Sequence, residues 1–147
     1  MKQTRIIIVD DHKFYRKTLG MIIEDIPGCK IVAEASNGKE FLEIFNTISA
    51  DIIFMDIKMP EMDGIIATHI ACNEYRNTNI IALTMFEEKE YFMQMMHAGA
   101  RGFLLKDTGK EEIENAIKAV LAGKNYYPKG LAANLFSINK NGEEDIS

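Results

Sequence analysis

The chain has 147 residues, 47% of them apolar, and a formal net charge of −5 at pH 7. That length fits one ordinary domain with a short appendage, and that apolar share suffices for a normal core. An acidic chain lacks the Lys and Arg surplus that neutralises nucleic-acid phosphates, so any contact with DNA is expected to lie outside these residues.

Short, nearly all-apolar runs occur at residues 5–9, 30–35, 51–55, 79–83 and 102–105, each bounded by turn or polar residues. That is how strands buried on both faces read. Helical segments lie between them. The first, about 12–26, places Leu19, Ile22, Ile23 and Ile26 on one face and stops at Pro27-Gly28. The second starts at Asn37 with Glu40 three residues on, a variant of the capping box, and has Phe41, Leu42, Ile44 and Phe45 as its apolar side. The third covers about 64–73, and the fourth runs about 87–98 and ends at Gly99. The fifth opens on a capping box, Thr108-Gly109-Lys110-Glu111, carries Ile113, Ile117, Val120 and Leu121, and stops at Gly123. Five βα units in a row predict an α/β fold, a five-stranded parallel sheet wound on both faces by helices. Residues 1–123 form this domain. In 124–147 the pattern changes to one short helix, 128–136, docking through Leu131, Leu135 and Phe136, and then a polar linker or frayed end.

Cys29 and Cys72 lie far apart without CxxC spacing and read as free thiols of a reducing cytosol. No apolar run approaches the roughly 20 residues of a membrane span. The run Ile6–Val9 is too short for the apolar core of a signal peptide. A cytoplasmic location is expected.

Ligands of an open parallel sheet bind outside the carboxyl ends of its strands. The residues that follow each apolar run are therefore the informative ones. Asp10 and Asp11 follow the first strand, Asp56 the third, Thr84 ends the fourth, and Lys106 follows the fifth. Taken singly, each has an ordinary reading as a helix cap or a solvated surface residue. Three acids on one edge repel one another and raise each other's pKa unless a cation sits among them. A hard divalent ion such as Mg²⁺ suits few carboxylates and several waters, and Lys106 would add positive charge. Such a site suits phosphoryl transfer, with a carboxylate as covalent nucleophile, and Asp56, on the middle strand, is the natural acceptor.

These residues resemble the receiver domain of two-component response regulators over about 5–121. Ile6-Ile7-Ile8-Val9-Asp10-Asp11-His12, Asp56-Ile57-Lys58-Met59-Pro60-Glu61-Met62-Asp63-Gly64, Ala82-Leu83-Thr84 and Gly99-Ala100-Arg101-Gly102-Phe103-Leu104-Leu105-Lys106 are similar to the family's four signatures in order and spacing. The resemblance implies the flavodoxin-like (βα)5 sheet with strand order 2-1-3-4-5. It implies that Asp56 accepts phosphate from a sensor histidine kinase. Asp11, Asp56 and the Lys58 backbone carbonyl would ligate Mg²⁺ (or Mn²⁺), with Asp10 acting mostly through water. Thr84 would hydrogen-bond a phosphoryl oxygen and Lys106 would pair with it. Phe103 would be the switch aromatic that turns inward as Thr84 moves. Chemistry would be limited to self-phosphorylation and autodephosphorylation, with no separate substrate turned over.

The finer resemblance is to the LuxR/NarL-type subfamily, carried by Asp10-Asp11-His12, Phe103-Leu104-Leu105-Lys106-Asp107-Thr108 and Ala119-Val120-Leu121-Ala122-Gly123. It implies transcriptional output through a C-terminal helix-turn-helix that these residues do not include, and a homodimer when phosphorylated. The polar ending favours a truncated chain; the alternative is a stand-alone receiver signalling through protein contacts. Asp107 stands where many receivers have a proline in a cis peptide; a cis bond before a non-proline costs about 2.5–4 kcal/mol, so it is not expected here.

Lys58 and Phe86 flank the site and either limit hydrolytic water or are ordinary rim residues. His12 reads as a helix-opening residue, and His69 and His97 as surface positions. Lys13, Arg16 and Lys17 form a basic face that is either solvated or a kinase contact. Tyr91, Phe92, Met95 and Met96 make the fourth helix apolar over a wide arc, shared between core and a partner surface. A phosphate-ester hydrolase would place Asp-x-Asp after the first strand, which this chain does not. A pseudo-receiver would lack one of the five polar site residues, all of which are present.

Overall fold

A computed structural model of the chain describes residues 2–85 and 89–128. Phe86, the 129–136 part of the expected final helix and the polar end 137–147 lie outside the described residues. The elements alternate as β1 (Thr4–Val9), α1 (Lys13–Glu24), β2 (Cys29–Ala35), α2 (Gly38–Phe45), β3 (Ile52–Asp56), α3 (Gly64–Glu74), β4 (Ile80–Thr84), α4 (Lys89–Ala98), β5 (Gly102–Leu105) and α5 (Lys110–Leu121). All strands pair in parallel in one sheet of order β2-β1-β3-β4-β5. The expected fold class and strand order are therefore those observed. β3 and β4 each sit one residue later than their apolar runs, so Asp56 and Thr84 are the last residues of their strands.

Because side chains alternate across a strand, the sheet splits its apolar residues between two layers. Ile7, Val9, Ile53, Met55, Ala82 and Phe103 face one layer, with Phe41, Ala67, Ala71, Phe92 and Met95 of α2, α3 and α4. Ile6, Ile8, Ile52, Phe54, Ile81, Leu83 and Leu104 face the other, with Leu19, Ile23, Ile113, Ile117 and Val120 of α1 and α5. The α4 arc is mostly taken by the core: Phe92 and Met95 are buried, Tyr91 and Met96 are half-buried, and Met93 stays exposed.

Helix starts show where local pattern suffices. Asn37 caps α2 by accepting from the Glu40 N–H, while the Glu40 carboxylate reaches back to Ser36, accepting from its N–H at 2.7 Å and its hydroxyl at 2.9 Å. Asp63 caps α3 through the Ile66 N–H. The expected Thr108 cap is not formed. α5 is capped one residue later, at Gly109 and without a side-chain bond, because Thr108 belongs to the turn leaving β5, its N–H donating to Leu105 O.

The loop joining β3 to α3 passes close over the end of β3. The Gly64 N–H donates to Ile57 O at 2.7 Å, and the Gly38 N–H donates to Met62 O at 2.9 Å. A Cβ on Gly64 would overlap the carbonyl oxygen of Asp56, so only glycine lets α3 begin here. Relieving that overlap must move backbone rather than a side-chain tip. Gly64→Ala is therefore expected to destabilise the domain by roughly 1–3 kcal/mol, read as a lowered urea midpoint at unchanged slope.

Candidate active site

The carboxyl ends of β1, β3, β4 and β5 bring the sequence-predicted residues to one place. Asp10 is 0% exposed, Asp56 5%, Thr84 5% and Lys106 9%, which is unusual burial for acids and a lysine. Carboxylate oxygens of Asp10, Asp11 and Asp56 and a ring nitrogen of His12 lie within 4.8 Å of one another. The Lys106 ammonium stands among them, 2.7 Å from Asp10 Oδ2 and 3.4 Å from Asp56 Oδ2.

The backbone explains why these groups meet. The Asp10 N–H donates to Ala35 O, and Lys106 N–H donates to Thr84 O at 2.8 Å, which ties the ends of β4 and β5 together. Asp10 Oδ1 accepts the His12 N–H at 2.8 Å and lies 3.1 Å from His12 Nδ1. His12 is the N-cap position of α1, as expected of a helix-opening residue. The Lys106–Asp107 peptide is trans, as the cost of a non-proline cis bond requires. His69 and His97 are exposed.

Two residues whose role pattern alone did not reveal hold the site. Arg16 is not part of a freely solvated basic face. Its Nη1 donates to the carbonyl of Asp10 at 2.6 Å and its Nε to Glu34 Oε1 at 3.1 Å. Tyr15 lies under the ammonium, with Lys106 Nζ 4.9 Å from its ring centroid. Both lie in the first turn of α1, a few residues after the acids that follow β1. Burial, then Asp10, Asp56 and Asp107, raises the Tyr15 phenol above its ordinary range.

Three carboxylates face one ammonium, so the cluster carries uncompensated negative charge. Buried oxygens of Asp10 (Oδ2), Asp11 (Oδ1) and Asp56 (Oδ2) have no hydrogen-bond partner. Lys106 approaches Asp10 Oδ2 as an ion pair, outside hydrogen-bonding directions. Burial above all, then Asp10, and more weakly Asp11, push the Asp56 carboxyl up to about 7 against the opposing pull of Lys106. Orphaned hard oxygens with an excess negative charge are the donor set that a divalent ion such as Mg²⁺ prefers. Over Asp56 opens a cavity of about 100 Å³ lined by His12, Lys58, Thr84, Met85, Tyr91 and Lys106. Lys58 lays its ammonium over the Tyr91 ring at 5.1 Å.

The response regulator receiver domain family matches residues 6–118, most of the described chain. The chain belongs to that family. This receiver domain is 32% identical over 131 residues to the response regulator GacA of Pseudomonas viridiflava, covering 89% of this chain and 61% of that protein. It is 34% identical over 143 residues to the transcriptional regulatory protein LiaR of Bacillus subtilis (strain 168), covering 97% of this chain and 68% of that protein. The chain thus spans about six tenths of the length of the GacA relative. A two-component response regulator of the LuxR family from Aurantimonas sp. SI85-9A1 superposes with a TM-score of 0.89 at 30% identity, covering 94% of this chain and 99% of that one. The Aurantimonas regulator is of the LuxR family, and what this chain shares with these relatives is the receiver domain.

The raised pKa of Asp56 has a consequence for stability. A carboxyl with an ordinary value of 3.8 that rises to about 7 on folding contributes stability below 3.8 and loses it as pH rises through about 7. In chelator-treated receiver, Asp56→Asn removes the charge that must be buried. The variant is expected to melt higher than the parent at mildly alkaline pH, with the gap closing in acid, as followed by thermal denaturation. Equal melting temperatures across that range would show that the buried charge is already compensated.

Proposed function

We propose that this receiver takes a phosphoryl group onto Asp56 from a phosphohistidine of a sensor histidine kinase, in a Mg²⁺-dependent reaction, and thereby switches an output. The observation that carries this reading is the cluster of buried Asp10 and Asp56 and half-buried Asp11, with orphaned oxygens beside Lys106, opening onto a cavity at the carboxyl edge of the sheet. An oxygen of the Asp56 carboxylate attacks phosphorus, the O–P bond forms, and the N–P bond to the donor imidazole breaks. Asp56 must be ionised to do so, and burial beside two other acids resists that. Asp11, Asp56 and the backbone carbonyl of Lys58 would hold the ion, with Asp10 contributing through water. When bound, Mg²⁺ (or Mn²⁺) supplies the charge that keeps Asp56 ionised and neutralises the phosphoryl oxygens.

Lys106 already sits within reach of Asp56 and is placed to pair with the incoming phosphoryl oxygens. Thr84 lines the same cavity, and its hydroxyl is the hydrogen-bond donor for one of those oxygens. Phe103 is 1% exposed and packs edge-on against Phe92, with ring centroids 5.0 Å apart. The inward position is thus accessible to the fold itself, and phosphate would hold it there by drawing Thr84 toward Asp56, a shift of populations. The receiver turns over no separate substrate beyond gaining and losing its own phosphate. Among the described residues no helix is long and apolar enough to cross a membrane, which accords with a cytoplasmic site of action. The printed name of the LiaR relative, a transcriptional regulatory protein, supports transcription as the output; this reading adds a LuxR-type DNA-binding domain and a dimer formed on phosphorylation.

Incubation with acetyl phosphate and Mg²⁺, read by intact mass, is expected to add one phosphoryl group to the parent and none to Asp56→Asn. Failure of the parent to gain that mass with any small phosphodonor, at any Mg²⁺ concentration, would overturn the reading.

A further inference from the structure

The chain that leaves α5 does not turn away from the domain. Gly102 and Tyr126 form a parallel bridge. The Tyr126 N–H donates to Arg101 O at 3.0 Å, and the Phe103 N–H donates to Tyr126 O at 3.0 Å. The segment alternates as a strand does. Tyr126 packs with the layer of α1 and α5, its hydroxyl donating to Glu112 Oε2 at 2.9 Å. Tyr127 packs with the opposite layer, its ring meeting Phe92 edge-on at 5.5 Å between centroids. Pro128 is buried.

β5 therefore carries two things at once. Its end delivers Lys106 to Asp56, and its middle residue, Phe103, holds the chain after α5 by a backbone bond. Phe92 touches both Phe103 and Tyr127, so three rings run in series from the strand to this segment. A strap that only covered the open edge of β5 would need the backbone bonds alone. The Tyr127 ring adds a contact whose footing is the Phe92–Phe103 pair.

We infer that residues 126–128 are a docked strap whose hold on β5 is coupled to the state of Asp56 through Phe103 and Phe92. The inference rests on the proposed phosphorylation of Asp56 and deepens it by naming what reads the switch. Its sign follows from the packing. Tyr127 docks on Phe92 while Phe103 is buried, so docking and buried Phe103 favour each other. Whatever holds Phe103 inward tightens the strap, and a docked strap in return makes the site more receptive, by the same factor. Residues 126–128, already docked on β5, are thereby held more tightly when Asp56 is phosphorylated than when it is not.

The test uses the whole 147-residue chain. Amide exchange at Tyr126 and Phe103 is followed by NMR before and after acetyl phosphate with Mg²⁺, and intact mass reports the phosphate. Protection of both amides is expected to rise about fivefold or more on phosphorylation. In parallel, beryllofluoride with Mg²⁺ serves as the probe of the phosphorylated state, and Tyr127→Ala is expected to bind it about fivefold more weakly than the parent. Reciprocity requires both effects, so either one unchanged in protein that mass shows to be phosphorylated overturns the coupling and leaves the proposed function standing. No phosphate gained at all overturns the proposed function, and the strap's control with it.

Discussion

The Lys106 ammonium among the carboxylates of Asp10, Asp11 and Asp56 is the contact on which the rest of the structure turns. Taking a carboxylate out of water costs several kcal/mol even after relaxation, and a domain has only about 5–15 kcal/mol of net stability. One lysine cannot offset three acids. The cluster is left with excess negative charge and orphaned oxygens, held in place by a core that more than covers the cost. A site built this way could hold a divalent cation, which accords with the proposed phosphoryl-driven switch.

Holding like charges together demands rigid support, and each part of the scaffold contributes it. Arg16 and the His12 N–H grip Asp10 from its carbonyl and its carboxylate. Gly64 lets α3 begin against the carbonyl of Asp56. The bond from Lys106 N–H to Thr84 O joins the two strand ends that would answer to phosphate. The parallel sheet makes this possible, because all of its strands run the same way and end at one edge.

Only four residues long, β5 links that charged edge to the aromatic layer beneath it. Phe103, Phe92 and Tyr127 are a packed series in an interior dense enough that a ring cannot turn without moving its neighbours. The electrostatics of the site and the packing of the chain after α5 therefore meet on one strand.

Much of this was legible in the residue pattern. The five apolar runs gave the strands to within one residue, since burial on both faces leaves a continuous apolar trace. The acids, Thr84 and Lys106 stood out because each follows such a run, and in a parallel sheet all run ends share one edge. The strand order came with the family resemblance rather than from periodicity. Only the tertiary structure showed that Arg16 and Tyr15 serve the site, that α5 is capped at Gly109 rather than Thr108, and that Tyr126 and Tyr127 fold back onto β5. The reason is range. Periodicity records which face of an element is buried, while contacts such as that of Lys106 with His12, 94 residues apart, depend on how the sheet and its crossovers bring distant segments together.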